Sequence, residues 1–232
     1  MGFNEKTHAF IAAKFYVHLT ETFGERGRKA FVHGTQYYAE QRGRRMAQRA
    51  IRDGKELTYE TYCQYREWVS TEDVIKEGCE NVNKVVSYSP DYVLEVTQCP
   101  WYTQFKEMGL TEAGHEYCSH LDNSLCRGFN PYIDYTVPYS LHKSGFCRHC
   151  VKNSGLGEDG IKGGIKPEYL KSFEYHCAHS YWAYTTTTEA IFGAEGRKIS
   201  AAVLDDFQKE YGQEMADKIM RYKDTNFSVT DC

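Results

Sequence analysis

The sequence lacks long apolar runs and lacks a strong excess of either charge. No stretch reaches the roughly 18 consecutive apolar residues of a membrane span, and the N-terminus has no uninterrupted apolar segment of a secretory signal. The 28 Lys and Arg residues against 32 Asp and Glu residues give a formal charge of −4, which does not supply the positive field that nucleic acids or anionic membranes attract. We therefore expect a soluble globular protein with no nucleic-acid or membrane partner.

Two motifs of common enzyme classes are also missing. The glycines between positions 155 and 164 neither follow a predicted strand nor contain Gly-Lys-Ser/Thr, so they do not form a phosphate-binding loop. No Gly-x-Ser-x-Gly is present, which argues against the nucleophile elbow of the α/β-hydrolases.

The sequence is instead rich in Tyr, Cys and His, with 19, 9 and 9 of each. Without a secretory signal we expect a cytoplasmic protein, in which the cysteines are free thiols or ligands. Tyrosine combines an apolar ring with a polar tip, so its excess fits half-buried helix faces or a semi-polar pocket.

The residue pattern predicts an α+β fold with helices packed on a small antiparallel sheet. We expect one domain over 1–232. It consists of an N-terminal helical part (1–88), a core of strand, helix and hairpin (89–154), a loop long enough to act as a lid (155–166) and C-terminal helices (167–232). The predicted elements are helices at 4–24 and 25–52, a helix or strand at 58–70, a strand at 91–98, helices from Trp101 and from a capping Thr111, and a hairpin around a Lys-Ser-Gly turn.

The predicted second helix carries arginines at positions 26, 28, 42, 44, 45 and 49 before its final residue, Arg52. Such a group forms either an anion-binding site or a solvated basic face balanced by acidic neighbours. The sequence leaves both readings open and favours the solvated face.

On the helix from Thr111, residues His115, Cys118 and Asp122 are spaced by three and four, which places imidazole, thiol and carboxylate on one face. A neighbouring histidine can deprotonate a thiol while a carboxylate orients that histidine. The same triplet also arises on ordinary amphipathic helices. Two further histidines, His176 and His179, lie three apart on a later predicted helix, where packing is the alternative role.

Metal binding is a second alternative. Cys147 and Cys150 have the spacing of a metal knuckle, and His176 and His179 would complete a Cys2His2 set. However, positions three apart on a strand face opposite ways, which weakens the knuckle. We expect no cofactor, with zinc or iron as the alternative.

The stretch from CPWYTQFKEMGL through GHEYCSHLDNSLCRGFNPYIDY to GFCRHCV, followed by YHCAHSYW, resembles the L-2-amino-thiazoline-4-carboxylic acid hydrolase family. The resemblance runs from near Gly43 to near Tyr222. Its most specific positions are Cys99, Trp101, Gly114, Tyr117, Cys118, Asp122, Gly128, Phe129, Asn130 and Cys147.

This resemblance implies a hydrolase that opens a small cyclic amidine at a carbon–nitrogen or carbon–sulfur bond and yields a carbamoyl amino acid. In one mechanism Cys118 attacks the ring carbon, a histidine (His115, His176 or His179) is base and acid, and Asp122 orients it. In the other, a metal held by Cys and His activates water. The substrate-binding residues expected from the resemblance are Cys99, Trp101, Tyr117, Asn130, Arg44 and Arg45.

A more distant resemblance is to the 4-vinyl-reductase domain and its haem-based gas-sensor relatives, which implies the same α+β fold. It supplies the rival function, a non-catalytic module that binds a small ligand or a partner. The expected partner is a small heterocycle. Assembly into a homo-oligomer stays open, because the sequence does not fix the oligomeric state.

Overall fold

The computed structural model describes residues 2–230. Within that range the chain forms ten α-helices and one four-stranded antiparallel sheet, which confirms the predicted α+β class. In chain order the elements are α1 (Glu5–Phe23), α2 (Glu25–Arg52), α3 (Tyr59–Gln64), α4 (Glu72–Lys76), β1 (Val82–Ser87), β2 (Tyr92–Gln98), α5 (Pro100–Glu107), α6 (Thr111–Phe129), β3 (Tyr135–Tyr139), α7 (Leu141–Ser144), β4 (Cys147–Val151), α8 (Phe173–Phe192), α9 (Ala194–Tyr211) and α10 (Gln213–Met220).

The first two helices have clear local causes. Asn4 begins α1 with a capping box, in which its side chain accepts the amides of Lys6 and Thr7 while the Thr7 hydroxyl accepts the Asn4 amide. Gly24, with φ of 54°, lies between α1 and α2 and lets the chain reverse. Both helices match the predicted ranges closely because caps and helical spacing are local signals.

The sheet has the strand order β1-β2-β4-β3. The predicted strand at 91–98 is β2, and the predicted hairpin is β3 and β4, with the short helix α7 inserted at the turn. β1 was not predicted from the sequence, because it is an exposed edge strand without strict alternation and is fixed by pairing with β2. The undecided segment at 58–70 begins as α3.

The helix from Thr111 starts differently from the prediction. Thr111 is the first residue of α6, and Leu110 occupies the N-cap position without a side-chain cap. The expectation that Thr111 caps this helix is therefore wrong, although its range is correct.

The largest apolar core lies among the helices and includes side chains of α1, α2, α5, α6, α8, α9 and α10. Smaller cores join α2 to α6 and join the sheet to α3. In the part of the chain that the structure describes, no helix combines the length and apolar character needed to cross a membrane.

Two glycines bring the backbones of α2 and α6 into direct contact. A Cβ on Gly43 would lie 2.0 Å from the Leu125 carbonyl oxygen, and one on Gly128 would lie 2.4 Å from the Glu40 carbonyl oxygen. Any larger side chain at either position must push the helices apart. This contact therefore fixes the position of α6 against α2 and the direction of the side chains on the opposite face of α6.

We expect Gly43→Ala and Gly128→Ala each to lower the free energy of unfolding by about 1–3 kcal/mol, because the added methyl meets backbone atoms that cannot move aside. Urea denaturation measures the change. Gly164→Ala is the matched control, since a Cβ there meets nothing within 4 Å, and its effect should stay within about 0.5 kcal/mol. Equal stability of all three variants would contradict the proposed backbone contact.

Candidate active site

A thiol and an imidazole meet where α6 approaches α7. The Sγ of Cys118 lies 3.6 Å from the Nε2 of His142, and both side chains are half-buried. Ser140 caps the N-terminus of α7, where its hydroxyl accepts the His142 amide at 3.2 Å, and Gly145, with φ of 73°, is the C-cap. This single helical turn between β3 and β4 therefore places the His142 side chain over α6.

The His142 ring is held by packing. A Cβ on Gly114 would lie 2.2 Å from its Cε1 atom, so the ring rests directly on the α6 backbone. The rings of Tyr102 and Phe105 lie 5.1 and 5.9 Å away, centroid to centroid. Its Nδ1 is buried and has no hydrogen-bond partner among residues 2–230. The imidazole is thus fixed in place with one nitrogen aimed at the thiol.

Burial keeps both members of this pair uncharged at rest. It raises the pKa of Cys118 well above the usual thiol value, and the nearby thiols of Cys99 and Cys147 add to the shift. Burial also lowers the pKa of His142 to about 4, with a further contribution from the charge of His115. The resting pair is therefore a thiol beside a neutral imidazole, and the thiolate forms when the proton moves to His142.

Two other thiols belong to the same neighbourhood. Cys99 is the N-cap residue of α5, and burial raises its pKa to about 12, although the amides of Trp101 and Tyr102 oppose the shift. Cys147 on β4 accepts a hydrogen bond from the Leu141 amide at 3.2 Å. Both thiols are thus protonated near neutral pH, and Cys118 is the one that contacts a base.

The structure separates the other members of the predicted stripe on α6. His115 Nδ1 lies 3.3 Å from the hydroxyl of Ser140, the residue that caps α7, so His115 braces the turn that carries His142. Asp122 lies 3.9 Å from His149 on β4. In the described part of the chain, no hydrogen bond joins Cys118 to His115 or to Asp122.

A second polar centre lies between α2 and α8. Glu67 is fully buried and receives hydrogen bonds from Arg45 at 3.0 and 2.7 Å and from Arg49 at 2.9 Å. Arg42 lies 3.6 Å away from the same carboxylate. Burial raises the pKa of Glu67, but the charges and hydrogen bonds of the arginines outweigh it and lower the pKa to about 2.

His176 and His179 contact this arginine centre. His176 Nε2 lies 3.1 Å from the Glu67 carbonyl oxygen, and His179 Nε2 lies 2.9 Å from the Gln41 side-chain oxygen. Burial lowers the pKa of His176 to about 3 and that of His179 well below the usual value, with arginine charges adding to both shifts. Both histidines thus bind structural partners, and in the described part of the chain neither hydrogen-bonds to Cys118.

The remaining predicted substrate-binding residues have varied positions. Asn130 ends α6 and donates to the Leu57 carbonyl oxygen at 2.7 Å, while Arg44 is exposed and lies 3.5 Å from Glu40. Trp101 donates to His8 at 3.0 Å, and Tyr117 is buried beside it in the helical core. Arg45 is fully used by Glu67, His179 and the Phe227 carbonyl. Their roles toward a substrate stay predictions.

The Cys2His2 metal set does not assemble. Cys147 and Cys150 pair with Val96 and Val93 on β2 and alternate along β4, whereas both histidines lie in the arginine centre. Among residues 2–230, no three His, Cys, Asp or Glu side chains are grouped so as to hold a metal ion. These four residues therefore do not fit a common zinc or iron site.

Sequence reasoning missed His142 as the partner of Cys118 and Glu67 as the partner of the arginines. His142 lies in the predicted hairpin turn, between two segments that carry the family resemblance. A histidine at that position could therefore have been considered as a partner for Cys118. Glu67 offers a weaker one, a single acidic residue in an aromatic run that follows the arginine-rich helix.

We expect Glu67→Gln to lower the free energy of unfolding by about 3–5 kcal/mol, because the buried guanidiniums lose their counter-charge. The wild type should lose the same contribution in acid. The carboxyl titrates near 4.5 when unfolded and near 2 when folded, so the stabilisation is complete above about pH 5 and is lost as the pH falls toward 2. Denaturation curves across this range, with exposed Glu56→Gln as control, measure both effects; equal curves for the two variants would contradict the prediction.

We expect iodoacetamide to alkylate Cys118 more slowly at pH 7 than it alkylates free cysteine, because the resting thiol is protonated. The rate should rise only at alkaline pH. Mass spectrometry of the peptide that contains Cys118 gives the rate, and Cys118→Ala confirms the assignment. Rapid labelling near pH 6 would instead indicate a preformed thiolate–imidazolium pair.

Comparison with protein-family models places this site in a family. The model for L-2-amino-thiazoline-4-carboxylic acid hydrolase matches residues 4–145, which include Cys118, His142 and Glu67. Comparisons with curated proteins and with solved structures give no significant match, so the resemblance to the 4-vinyl-reductase domain stays a prediction. The chain belongs to the L-2-amino-thiazoline-4-carboxylic acid hydrolase family.

Proposed function

We propose that the protein hydrolyses the ring of L-2-amino-thiazoline-4-carboxylic acid or a closely related cyclic amidine, with Cys118 as nucleophile and His142 as general base and acid. The observation that supports this most directly is the 3.6 Å contact between Cys118 Sγ and His142 Nε2. It lies inside the region that matches the family. A thiol touching a fixed neutral imidazole is the arrangement that nucleophilic catalysis requires.

In the first half of the reaction, His142 Nε2 takes the thiol proton as the Cys118 sulfur attacks the ring carbon between nitrogen and sulfur. The carbon–nitrogen double bond opens, its electron pair moves to the nitrogen, and the carbon becomes tetrahedral. One ring bond to this carbon, to sulfur or to nitrogen, then breaks as a remaining nitrogen re-forms a carbon–nitrogen double bond. His142 returns its proton to the leaving atom, which leaves the former ring carbon attached to Cys118.

In the second half, a water molecule attacks the same carbon while His142 takes its proton. The hydroxyl proton of the added water passes to the nitrogen of the former carbon–nitrogen double bond, the bond to Cys118 breaks, and the carbon becomes a carbamoyl carbonyl. His142 returns the first proton to the Cys118 sulfur. The net change is the addition of one water to the substrate, giving a carbamoyl derivative of cysteine. The neutral resting state of His142 suits this cycle, because the ring must accept a proton in each half.

Asp122 supports binding of a cationic ring. Burial is the largest cause of the raised pKa of Cys118 and of Tyr135, and the nearby carboxylate of Asp122 raises both further. A negative charge that disfavours a thiolate at rest favours a protonated amidine beside the thiol. The bound cation would in turn lower the cost of forming the thiolate.

We expect Cys118→Ala to abolish ring opening and His142→Gln to lower kcat by about 10²- to 10⁴-fold, the usual contribution of a general base. The exposed His33→Gln should leave kcat unchanged. Liquid chromatography with mass spectrometry detects the product as substrate plus one water. Circular dichroism confirms that each variant is folded.

Three outcomes would contradict parts of this proposal. Wild-type turnover retained in Cys118→Ala would exclude the thiol as nucleophile. Binding of the thiazoline without any turnover would favour a ligand-binding module. Stoichiometric metal, lost together with activity on chelation, would favour metal-activated water.

A further inference from the structure

The interior beside the arginine centre contains hydrogen-bond donors that no protein acceptor uses. They surround Arg42 on α2, which is 4% exposed. Its guanidinium lies 5.6 Å from the ring centroid of Tyr38, and the His8 ring lies 5.3 Å from Tyr38 and 6.3 Å from Tyr117. His8 is thus in contact range of both tyrosines.

The hydrogen on His8 can be assigned from its partners. The indole of Trp101 can only donate, and it donates to His8 Nδ1 at 3.0 Å. Burial lowers the pKa of His8 well below its usual value, so the ring is neutral and carries its single proton on Nε2. That nitrogen lies 2.8 Å from the Tyr38 hydroxyl and therefore donates to it.

This assignment leaves the hydroxyl hydrogen of Tyr38 without an acceptor. The Tyr38 oxygen accepts from His8 and, at 3.5 Å, from Arg42 Nη1. Its own hydrogen has no acceptor within residues 2–230. The hydroxyl of Tyr117 and the Nε of Arg42 are also buried without a hydrogen-bond partner in that range, since Nε lies 3.6 Å from Glu67 Oε2, an ion pair beyond hydrogen-bond distance. Three donors therefore remain unused in one buried region.

Charge is unbalanced in the same place. Arg42, Arg45 and Arg49 are all buried, and Glu67 is their only paired carboxylate in the described part of the chain. Its oxygens already accept three hydrogen bonds from Arg45 and Arg49. Buried charge is costly without a partner. A small anion would both balance the surplus positive charge and accept hydrogen bonds from the unused donors.

We propose that Arg42, Tyr38 and Tyr117 form a buried binding site for a small carboxylate. The anion would accept from Arg42 Nε and from both hydroxyls, and it would balance one guanidinium charge. Water could accept those hydrogen bonds but would leave the charge uncompensated. His176 Nδ1 is a buried unpartnered acceptor, because Nε2 donates to the Glu67 carbonyl, and it suits an N–H group on the same ligand.

The carboxylate has two chemical sources, the 4-carboxylate of the proposed substrate or a separate small anion. The charge of Cys118 contributes to the raised pKa of Tyr117, after the larger effects of burial, Tyr38 and Tyr184, so the site lies near the proposed nucleophile. Binding does not require turnover, so this inference stands apart from the hydrolytic mechanism.

Isothermal titration calorimetry on the full-length Cys118→Ala chain tests the site without turnover. The ligands are 2-amino-thiazoline-4-carboxylate, 2-amino-thiazoline without the carboxylate, and sodium acetate against sodium chloride at equal ionic strength. We expect Arg42→Met to weaken binding of the carboxylates by about tenfold or more, since a charged hydrogen bond is lost. The matched control Arg52→Met removes an exposed arginine of the same helix that is not part of the site, and it should change the Kd by less than about twofold.

Tyr117→Phe provides an independent variant. It removes a hydroxyl for which residues 2–230 supply no partner, so the free protein should be at least as stable as before while carboxylate binding weakens. If Arg42→Met does not fold, the carboxylate affinity of Tyr117→Phe decides the test. Competition between acetate and the thiazoline carboxylate assigns the site to the substrate, and independent binding assigns it to a separate anion; both support the site.

The inference is overturned if neither carboxylate binds, or if Arg42→Met and Tyr117→Phe bind carboxylates as tightly as the parent chain. An equal loss in Arg52→Met and Arg42→Met would also overturn it, because the effect would then reflect overall charge. Carboxylate binding with no hydrolysis by the wild type contradicts the proposed function alone.

Discussion

The arrangement of the helices depends on one interaction, the pairing of the buried Glu67 carboxylate with the arginines of α2. Taking a carboxylate and three guanidiniums out of water costs several kcal/mol per ion, and only close pairing repays it. Arg45 and Arg49 reach Glu67 from α2, while the Glu67 carbonyl oxygen receives His176 of α8 and the Lys171 amide. An irregular segment between α3 and α4 is thus bound by its side chain to one helix and by its backbone to another.

This anchoring also positions the proposed chemistry. α2 is held by its arginines on one side and touches α6 through two glycines on another. α6 then presents Cys118 to His142 and Tyr117 to the neighbourhood of His8 and Arg42. The neutral thiol–imidazole pair and the cationic centre therefore occupy adjoining parts of one helical core, with opposite electrostatic character.

The parts of the fold that sequence could predict are those with local causes. The range of α2, the strand β2 and the hairpin follow from periodicity, caps and turn residues. β1 has no such signal, since its pairing with β2 decides it. The same division applies to the site: helical spacing placed Cys118 on α6, but its contact with His142 depends on how the sheet connection folds back. Arg44 is exposed as a solvated basic face predicts, whereas Arg42 and Arg45 are buried because a distant Glu67 meets them.

The segment at 227–230 has a consequence for how the chain folds. The Phe227 carbonyl accepts from Arg45, Ser228 accepts from Gln41 and Gln48, and the Thr230 hydroxyl accepts from Arg49. All of these donors lie on α2, and each is separated from its acceptor by 180 to 187 residues of sequence. The charged core is therefore completed only when distant segments of the chain meet, and contacts of such long sequence separation slow folding because the intervening chain must first be ordered.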